Sequence, residues 1–593
     1  MKRALLPLFI AACFASIAHS AGISHRKADL AIQVQSISGA PLEGATVEIE
    51  MLNHAFRFGC AVTHRTIHPE SSDYDPFIIE TLQKYFNSAT YGNYMKWSYY
   101  ERYTEEENLA IAALPQSFQA FNGPDNFKLR GHVTIWGSEY QLPAELKANR
   151  NPTPQEVHDL IINHIEAYHT TFKAANIDTF DLYNEHMNIP QLLIDRIADP
   201  NDMAAQAAEV ATWFNKAKEV DPNAFLYIND YNVLNDWNGD DRRVVAYKQF
   251  IDAVRDAGGA IDGIGLQAHM DRPTTTKADV TRRLDLLAAP MAPTANHPEG
   301  LPGLRIEITE LDLSIRNRFF NNTWGWPNPT MEQEVAVARA VLEGAFEHPA
   351  VDGITIWGFD DFNHWRGNAL LYDNLRDTDP GTTRVKVDPV LKETGQLWID
   401  KVKGEWWEDH SGTSSPNGEY VANTFKGTHR VTVTFNGESK QQIVSLSSPE
   451  DITFNFAATA DDATSYDQWA GFIDWQGADS ARDADPDGDG NSNLKEYFFG
   501  QDPLVLQTTD PRSYLSSDQS NGQSLDFFAR AAIQSIGVEV LYSTDLASWT
   551  RIQDLAWFGD PPELETVTID GTTVYRLNIG KNTGFFRLEF SEK

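Results

Sequence analysis

Phe180-Asp-Leu-Tyr-Asn-Glu185-His186 and Arg305-Ile-Glu-Ile-Thr-Glu310-Leu-Asp312 decide the reading of this chain. Each is an apolar, β-like run that ends on a carboxylate. Parallel strands of one barrel finish at a common rim, so two such runs can bring their acids face to face. Paired carboxylates suit double displacement at an anomeric carbon: one protonates the leaving oxygen while the other, about 5–5.5 Å away, attacks. A carboxylate embedded in an apolar run is costly without a use. Glu185 and Glu310 therefore predict a retaining, polysaccharide-cleaving enzyme.

Working outward, six further apolar runs share that character: Phe56 to Val62, Phe86 to Tyr91, Lys128 to Trp136, Phe225 to Tyr231, Ile261 to His269 and Gly353 to Asp360. Amphipathic helical stretches separate them, and Thr330-Met-Glu-Gln333 has the capping-box pattern that opens a helix running to about Phe346. Strand–helix alternation repeated eight times predicts an α/β fold, a (β/α)8 TIM barrel over residues 56–403. Polar and aromatic residues gather where those strands end: Asn93 and Lys96, His132 and Trp136, Glu185, Asn229, Gln267 and His269, Glu310, and Trp357. Strand C-termini converge in a barrel, so this distribution predicts one polar, aromatic-lined cleft. Taken singly, several have a plainer reading. Trp97 and Trp357 also fit as barrel-core aromatics, Lys96 as a snorkelling surface residue and His269 as a satisfied core histidine.

The barrel is flanked. Residues 21–55 alternate around Ser38-Gly-Ala-Pro-Leu in the manner of a hairpin, predicting a small N-terminal β extension. After about Gly404 the alternation of helix and strand stops. Residues 404–458 read as a small β module, 459–505 as a helical segment around an ion-binding loop, and 506–593 as a C-terminal β-rich module of unassigned role. In the helical segment, Asp485, Asp487, Asp489, Asn491 and Glu496 fall at ligand positions of a twelve-residue EF-hand-like loop with Gly490 at the sixth position, so a structural Ca2+ is expected there. It is similar to one half of a dockerin, and no second loop accompanies it.

At 593 residues the chain exceeds a single core. Its formal net charge of −36, unrelieved by any long basic run, would repel phosphate backbones, so nucleic acid is not an expected partner. Met1-Lys-Arg, an apolar run from Ala4 to about Ala18, and Ala18-His-Ser20 read as a signal peptide over 1–20 and predict a secreted or cell-surface protein. Ile10-Ala-Ala-Cys13 offers a lipoprotein reading with Cys13 lipidated. No run is long enough for a transmembrane span. Cys13 and Cys60 are the only cysteines, so cleavage after Ser20 removes any internal disulfide, and Cys60 reads as a buried, inert thiol.

The segment from about Phe56 to Asp400 resembles glycoside hydrolase family 10, the retaining endo-β-1,4-xylanases. The resemblance rests on Phe86-Asn-Ser-Ala-Thr90 with Asn93-Tyr-Met-Lys96-Trp97, Leu129-Arg-Gly-His132-Val-Thr-Ile-Trp136 and Asp181-Leu-Tyr-Asn184-Glu185. Tyr227-Ile-Asn229-Asp-Tyr231-Asn, Gly265-Leu-Gln267-Ala-His269, Ile308-Thr-Glu310-Leu-Asp312 and Thr355-Ile-Trp357-Gly with His364-Trp365-Arg366 complete it, in family order. It implies xylan or a related plant cell-wall polysaccharide as substrate, no cofactor for catalysis, Glu185 as acid/base and Glu310 as nucleophile. By the same resemblance Asn184 bonds the sugar 2-OH, Gln267 positions the carboxylates, and His269, held by Asp312, contacts Glu310. Trp357 and Trp365 wall the cleavage subsite, while Asn93, Lys96, His132 and Trp136 bind the glycone. Two departures fall on that glycone side: Gly92 stands where the family usually has Glu, and Trp136-Gly-Ser-Glu139 replaces the frequent Trp-His-Ser-Gln. They point to an altered second sugar site. The alternatives are a retaining glycosidase acting on another or decorated β-linked polysaccharide, and a non-catalytic carbohydrate-binding surface protein. An aromatic loop from Arg316 to Pro327 is a candidate further sugar platform.

Overall fold

The computed structural model describes residues 22–149, 151–187, 191–235, 240–313, 329–376, 384–458, 466–499 and 501–505, and beyond these the strands between 513 and 592. The leader with Cys13 and the loop from Arg316 to Pro327 lie outside the described residues.

After β1 (Lys27–Ser36) and β2 (Thr46–His54) come eight strands: β3 (Arg57–Val62), β4 (Ser88–Tyr91), β5 (Lys128–Trp136), β6 (Thr179–Asn184), β7 (Phe225–Asp230), β8 (Gly263–Leu266), β9 (Arg305–Leu311) and β10 (Val351–Ile356). They close into a barrel in sequence order, each parallel to the next, with β10 returning to β3. The strands are buried along almost their whole length, as a parallel sheet covered by helices requires, and for that reason they read as continuous apolar runs. The outer helices start on designed caps. Thr153, Thr276 and Thr330 each accept from the backbone N–H three residues on, while Glu156, Asp279 and Gln333 close the box, each cap contributing about 1 kcal/mol. Cys60 is wholly buried in β3, where burial pushes its thiol well above the ordinary range.

Inside the barrel, beneath the rim, lies a charged layer. The Arg130 guanidinium reaches Glu307 Oε2 at 2.8 Å and Asp181 Oδ2 at 3.2 Å, and stacks 4.2 Å over the Tyr227 ring. Arg57 joins Glu307 at 3.2 Å. Arg130, Asp181 and Glu307 are almost wholly buried, so the ions survive only because each is paired.

The flanking β segments differ from the sequence expectation. β1 and β2 are not a hairpin but lie in different sheets. β1 is central between β14 (Glu419–Phe425) and β17 (Glu450–Phe456), and β2 sits between β13 (His410–Thr413) and β15 (Gly427–Phe435), with β16 (Glu438–Leu446) beyond; β11 (Tyr372–Leu375) and β12 (Lys386–Leu391) make a small separate ladder. Leu30, Ile32 and Val34 of β1 pack with Val47, Ile49, Val431, Val433, Phe454 and Phe456 in one core. The expected extension (21–55) and the expected module (404–458) are thus two parts of a single sandwich that straddles the barrel in sequence. Neither could bury its apolar face alone, because a sheet with one apolar face needs a second sheet against it.

The C-terminal β-rich region forms two further sheets. One runs β18 (Ser513–Asp518), β19 (Gly522–Phe528), β23 (Thr572–Gly580) and β22 (Glu563–Ile569); the other runs β21 (Thr550–Arg551), β20 (Ile536–Ser543) and β24 (Phe585–Glu592).

A chain ending at Glu405 is expected to leave β1 and β2 without partners. Its solubility and thermal midpoint should fall below those of a chain ending at Ala458, whereas equal behaviour of the two would mean that the flanking segments are independent.

Candidate active site

Glu310 leaves the end of β9 into the barrel mouth, and Glu185 follows β6 directly. Glu185 adopts φ 61°, and its N–H donates to Asn229 O at 2.8 Å. A left-handed backbone at a non-glycine residue is strained. Here it is held by neighbours: the Gln191 side-chain amide donates to Glu185 O, and Met187 N–H donates to the buried Asp230 Oδ2 at 2.7 Å. Asp230, whose carboxyl burial pushes up to about 7, also accepts from Arg243 at 3.3 Å. The turn therefore fixes where the Glu185 carboxyl points.

A continuous hydrogen-bonded chain joins the two acids. Gln267 Nε2 donates to Glu185 Oε1 at 3.0 Å and to Asn184 Oδ1 at 3.3 Å. Asn229 Nδ2 donates to Asn184 Oδ1 at 2.9 Å and to Glu310 Oε1 at 3.2 Å, and Thr309 Oγ1 fixes the Asn229 amide by donating to its Oδ1 at 2.7 Å. All of these donors and acceptors sit at the ends of β6, β7, β8 and β9.

The surroundings of the two carboxyls differ. Burial, and then the nearby Glu310 charge, hold Glu185 above the usual carboxylate range against the bonds from Gln267 and Trp136. Glu310 instead faces His269, whose Nε2 lies 3.2 Å from Oε2. His269 Nδ1 lies 2.9 Å from Asp312 Oδ2. Burial disfavours the imidazolium, but the Asp312 charge and the bonds to Asp312 and Glu310 outweigh it and raise His269 to about 10. Asp312 is wholly buried, and besides His269 it receives His364 at 3.2 Å and the Trp365 indole N–H at 2.6 Å. These contacts hold it well below the ordinary range although burial opposes ionisation. Glu310 thus sits at 3.2 Å from a cationic ring, whereas Glu185 feels the more distant Lys96 only as a minor influence against its burial.

The cleft around them encloses 730 Å³. It is lined by Asn93, Lys96, His132, Trp136, Asn184, Gln267, His269, Trp357 and Trp365 together with both acids, so every sugar-site candidate on the barrel reaches one space. Lys96 is buried rather than snorkelling, donates to Asn93 Oδ1 at 3.2 Å and lies 4.7 Å over the Trp136 ring. Burial lowers it to about 8, opposed by Glu310 and Glu185. His132 Nδ1 is 2.9 Å from Asp181 Oδ2, which ties the cleft floor to the charged layer below, and its ring meets Trp357 edge-on at 5.3 Å. Trp365 remains 45 % exposed, so its ring face is open to the cleft. Trp97 behaves differently: it stacks on His164 at 4.0 Å in the core and does not line the cleft.

Asp271, Tyr231, Asn232, Asn363 and Arg366 also line the cleft, and Arg366 sits 4.1 Å over the Trp365 ring. Sequence reasoning gave them no role, although Tyr231, Asn232 and Arg366 stand within the quoted motifs, which was the available signal. Gly92 lines the cleft, and a side chain there would meet nothing nearer than Val62 O at 3.9 Å, so the missing carboxylate leaves open space. Glu139 is exposed and outside the described lining, so only the Gly92 departure reaches the cleft. The calcium candidates Asp485, Asp487, Asp489, Asn491 and Glu496 lie apart from this site, in the segment after the sandwich.

Residues 49–386 match the model of glycosyl hydrolase family 10. The chain belongs to that family. Relatives include the anti-sigma-I factor RsgI6 of Acetivibrio thermocellus, 27% identical over 422 residues that make up 70% of this chain and 46% of that protein. Endo-1,4-beta-xylanase 1 of Arabidopsis thaliana is 24% identical over 70% of this chain and 37% of its own length. Endo-1,4-beta-xylanase B of Thermotoga neapolitana is 26% identical over 51% of this chain and 80% of its own. The chain therefore spans less than half of the first two relatives. Among solved structures, xylanase 10B from Thermotoga petrophila in complex with xylobiose aligns with TM-score 0.43 at 21% identity, over 59% of this chain and 94% of that one.

Asp312→Asn is expected to withdraw the charge that keeps His269 protonated. By imidazole NMR, His269 should stay protonated through pH 8 in the native protein and titrate at lower pH in the variant. The sign follows from linkage. A histidine raised from about 6.5 to about 10 contributes stability that is fully present below pH ~6.5 and is lost as pH rises toward 10, so the variant should show a flatter decline over that window.

Proposed function

We propose that this family 10 barrel is an endo-β-1,4-xylanase that cleaves internal bonds of xylan by double displacement with retention. The observation that carries the reading is the asymmetry of the linked carboxyls, with Glu185 raised by burial and Glu310 set beside a His269 held cationic by Asp312.

In the first step Glu310 attacks the anomeric carbon as Glu185 gives its proton to the departing glycosidic oxygen, leaving a glycosyl ester on Glu310. His269 and Asn229 hold the Glu310 oxygens and orient its attack. Glu185, now a carboxylate accepting from Gln267, takes a proton from water, and the resulting hydroxide displaces Glu310 from the sugar. Asn184 is placed between the acids through Asn229 and Gln267, a position suited to the 2-OH, whose bond strengthens in the transition state. Trp357 and the exposed face of Trp365 supply apolar walls for sugar rings, and Lys96, Asn93, His132 and Trp136 supply polar and stacking contacts further along the cleft. None of these steps calls on a cofactor.

The xylanase names of several relatives support xylan as substrate. Open space at Gly92 supports tolerance of a substituted sugar beside the cleaved one. A second reading, carbohydrate binding without turnover, is favoured by one observation: a relative carries the name of an anti-sigma factor rather than a hydrolase. The basic and apolar N-terminal segment supports export, which would bring the enzyme to a polymer outside the cell. No helix among the described residues is long and apolar enough to cross a membrane.

Reducing-sugar release from glucuronoxylan and arabinoxylan, beside β-glucan and cellulose, tests the proposal. Xylan-selective release of oligosaccharides should fall by about 10³-fold or more in Glu310→Ala, since the attacking carboxylate is removed. Folded protein that binds xylan and releases nothing would establish the second reading instead.

A further inference from the structure

Outside the cleft, residues 466–499 form a unit that the hydrolytic reading does not use. Two short helices, Tyr466–Phe472 and Asn493–Phe499, enclose a small aromatic core in which Tyr466 meets Tyr497 at 6.0 Å and Trp469 meets Tyr497 at 5.6 Å. So few apolar side chains make a poor core unless something else ties the segment together. Asn493 does part of this: its amide donates to Asp479 O at 3.0 Å and Ala481 O at 2.7 Å.

Between the helices, oxygens of Asp485, Asp487 and Asp489 all lie within 4.8 Å of one another. That is the spread expected of ligands on one cation bound at about 2.3–2.6 Å. A second observation makes this more than an acidic cluster. Glu496 is wholly buried, both its carboxylate oxygens lack a protein partner, and it lies in the field of Asp485, Asp487 and Asp489. The inner Oδ2 of Asp487 is likewise buried without a partner. Lys495 donates to the Asn491 side-chain oxygen and Arg482 to Asp467. A buried carboxylate crowded by three others needs a positive charge.

We propose that residues 485–496 bind one calcium ion through the carboxylates of Asp485, Asp487, Asp489 and Glu496 and the backbone carbonyl of Asn491, and that this ion holds the 466–499 unit together. This departs from an EF-hand in one respect. The first helix ends at Phe472, well before the loop, so no entering helix abuts it. The Asn491 side chain is spent on Lys495 and, at 3.1 Å, on Asp489, which leaves its carbonyl as the ligand at the seventh position. Gly488 and Gly490, at φ 76° and 91°, allow the loop to wrap. Oxygen ligands with four carboxylates suit a hard cation, and the irregular loop suits calcium over the stricter octahedron of magnesium.

The test uses the whole chain, freed of divalent ions with chelator and titrated with calcium chloride by calorimetry, while proteolysis between 466 and 499 is followed in parallel. The expected result is a saturable calcium site whose filling protects the segment, an affinity reduced about 10–100-fold in Glu496→Gln, and little change in Asn491→Ala. Absence of calcium binding by the native chain up to millimolar concentration, or equal affinity of native and Glu496→Gln chains, overturns the proposal. Because the native chain is titrated directly, a variant that fails to fold does not rescue the idea.

Discussion

Two carboxyls joined by a short hydrogen-bonded chain disfavour each other's ionisation in a low-dielectric cleft, and in this barrel one of them, Glu310, has a cationic ring, His269, at 3.2 Å. The ring can stay protonated only because Asp312, itself wholly buried, lies 2.9 Å away and is braced by His364 and Trp365. With that pair in place, Glu310 faces an imidazolium at 3.2 Å, while burial favours the proton on Glu185. Without it, the two acids would compete for one charge state and their roles would blur. The barrel supplies the geometry for this: β6, β7, β8 and β9 are consecutive neighbours, so Glu185, Asn229, Gln267 and Glu310 lie side by side at one rim.

Support for the cleft comes from below as well as from its walls. His132 is held by Asp181, which is paired with Arg130, which is paired with Glu307 on β9. The polar floor of the cleft and the charged interior of the barrel are therefore one network, spanning β5, β6 and β9. Buried ions of this sort add little net stability, but removing any one leaves its partners uncompensated, at a cost of about 3–5 kcal/mol. Precise placement of cleft-lining groups is what the network gives in return.

The barrel was legible because parallel strands covered on both faces read as unbroken apolar runs, and because a rim gathers functional groups at strand ends. The sandwich was not. Alternation in β1 and β2 says that each strand has one buried face, but it does not name the partner, and here the partners arrive more than 350 residues later in the chain. Arg130, Asp181 and Glu307 were also hidden, since a charged residue inside a barrel looks in sequence like one facing water. Lys96 fitted a surface stem as readily as a buried ammonium, and only the enclosing Trp136 and Asn93 separate the two. Glu139 was too near a motif for sequence to tell that it faces away. In the acidic loop 485–496 the spacing of the carboxylates could be read from sequence, whereas the engagement of the Asn491 side chain by Lys495 could not.

The central claim is that Glu310 attacks the sugar and Glu185 protonates the leaving group, which fixes the stereochemistry of the product. Proton NMR of a xylo-oligosaccharide digest, recorded before mutarotation, reads the anomer formed first. The account predicts the β-anomer, the product of two inversions. Initial formation of the α-anomer would contradict it, because a single displacement by water would leave Glu310 no role as nucleophile.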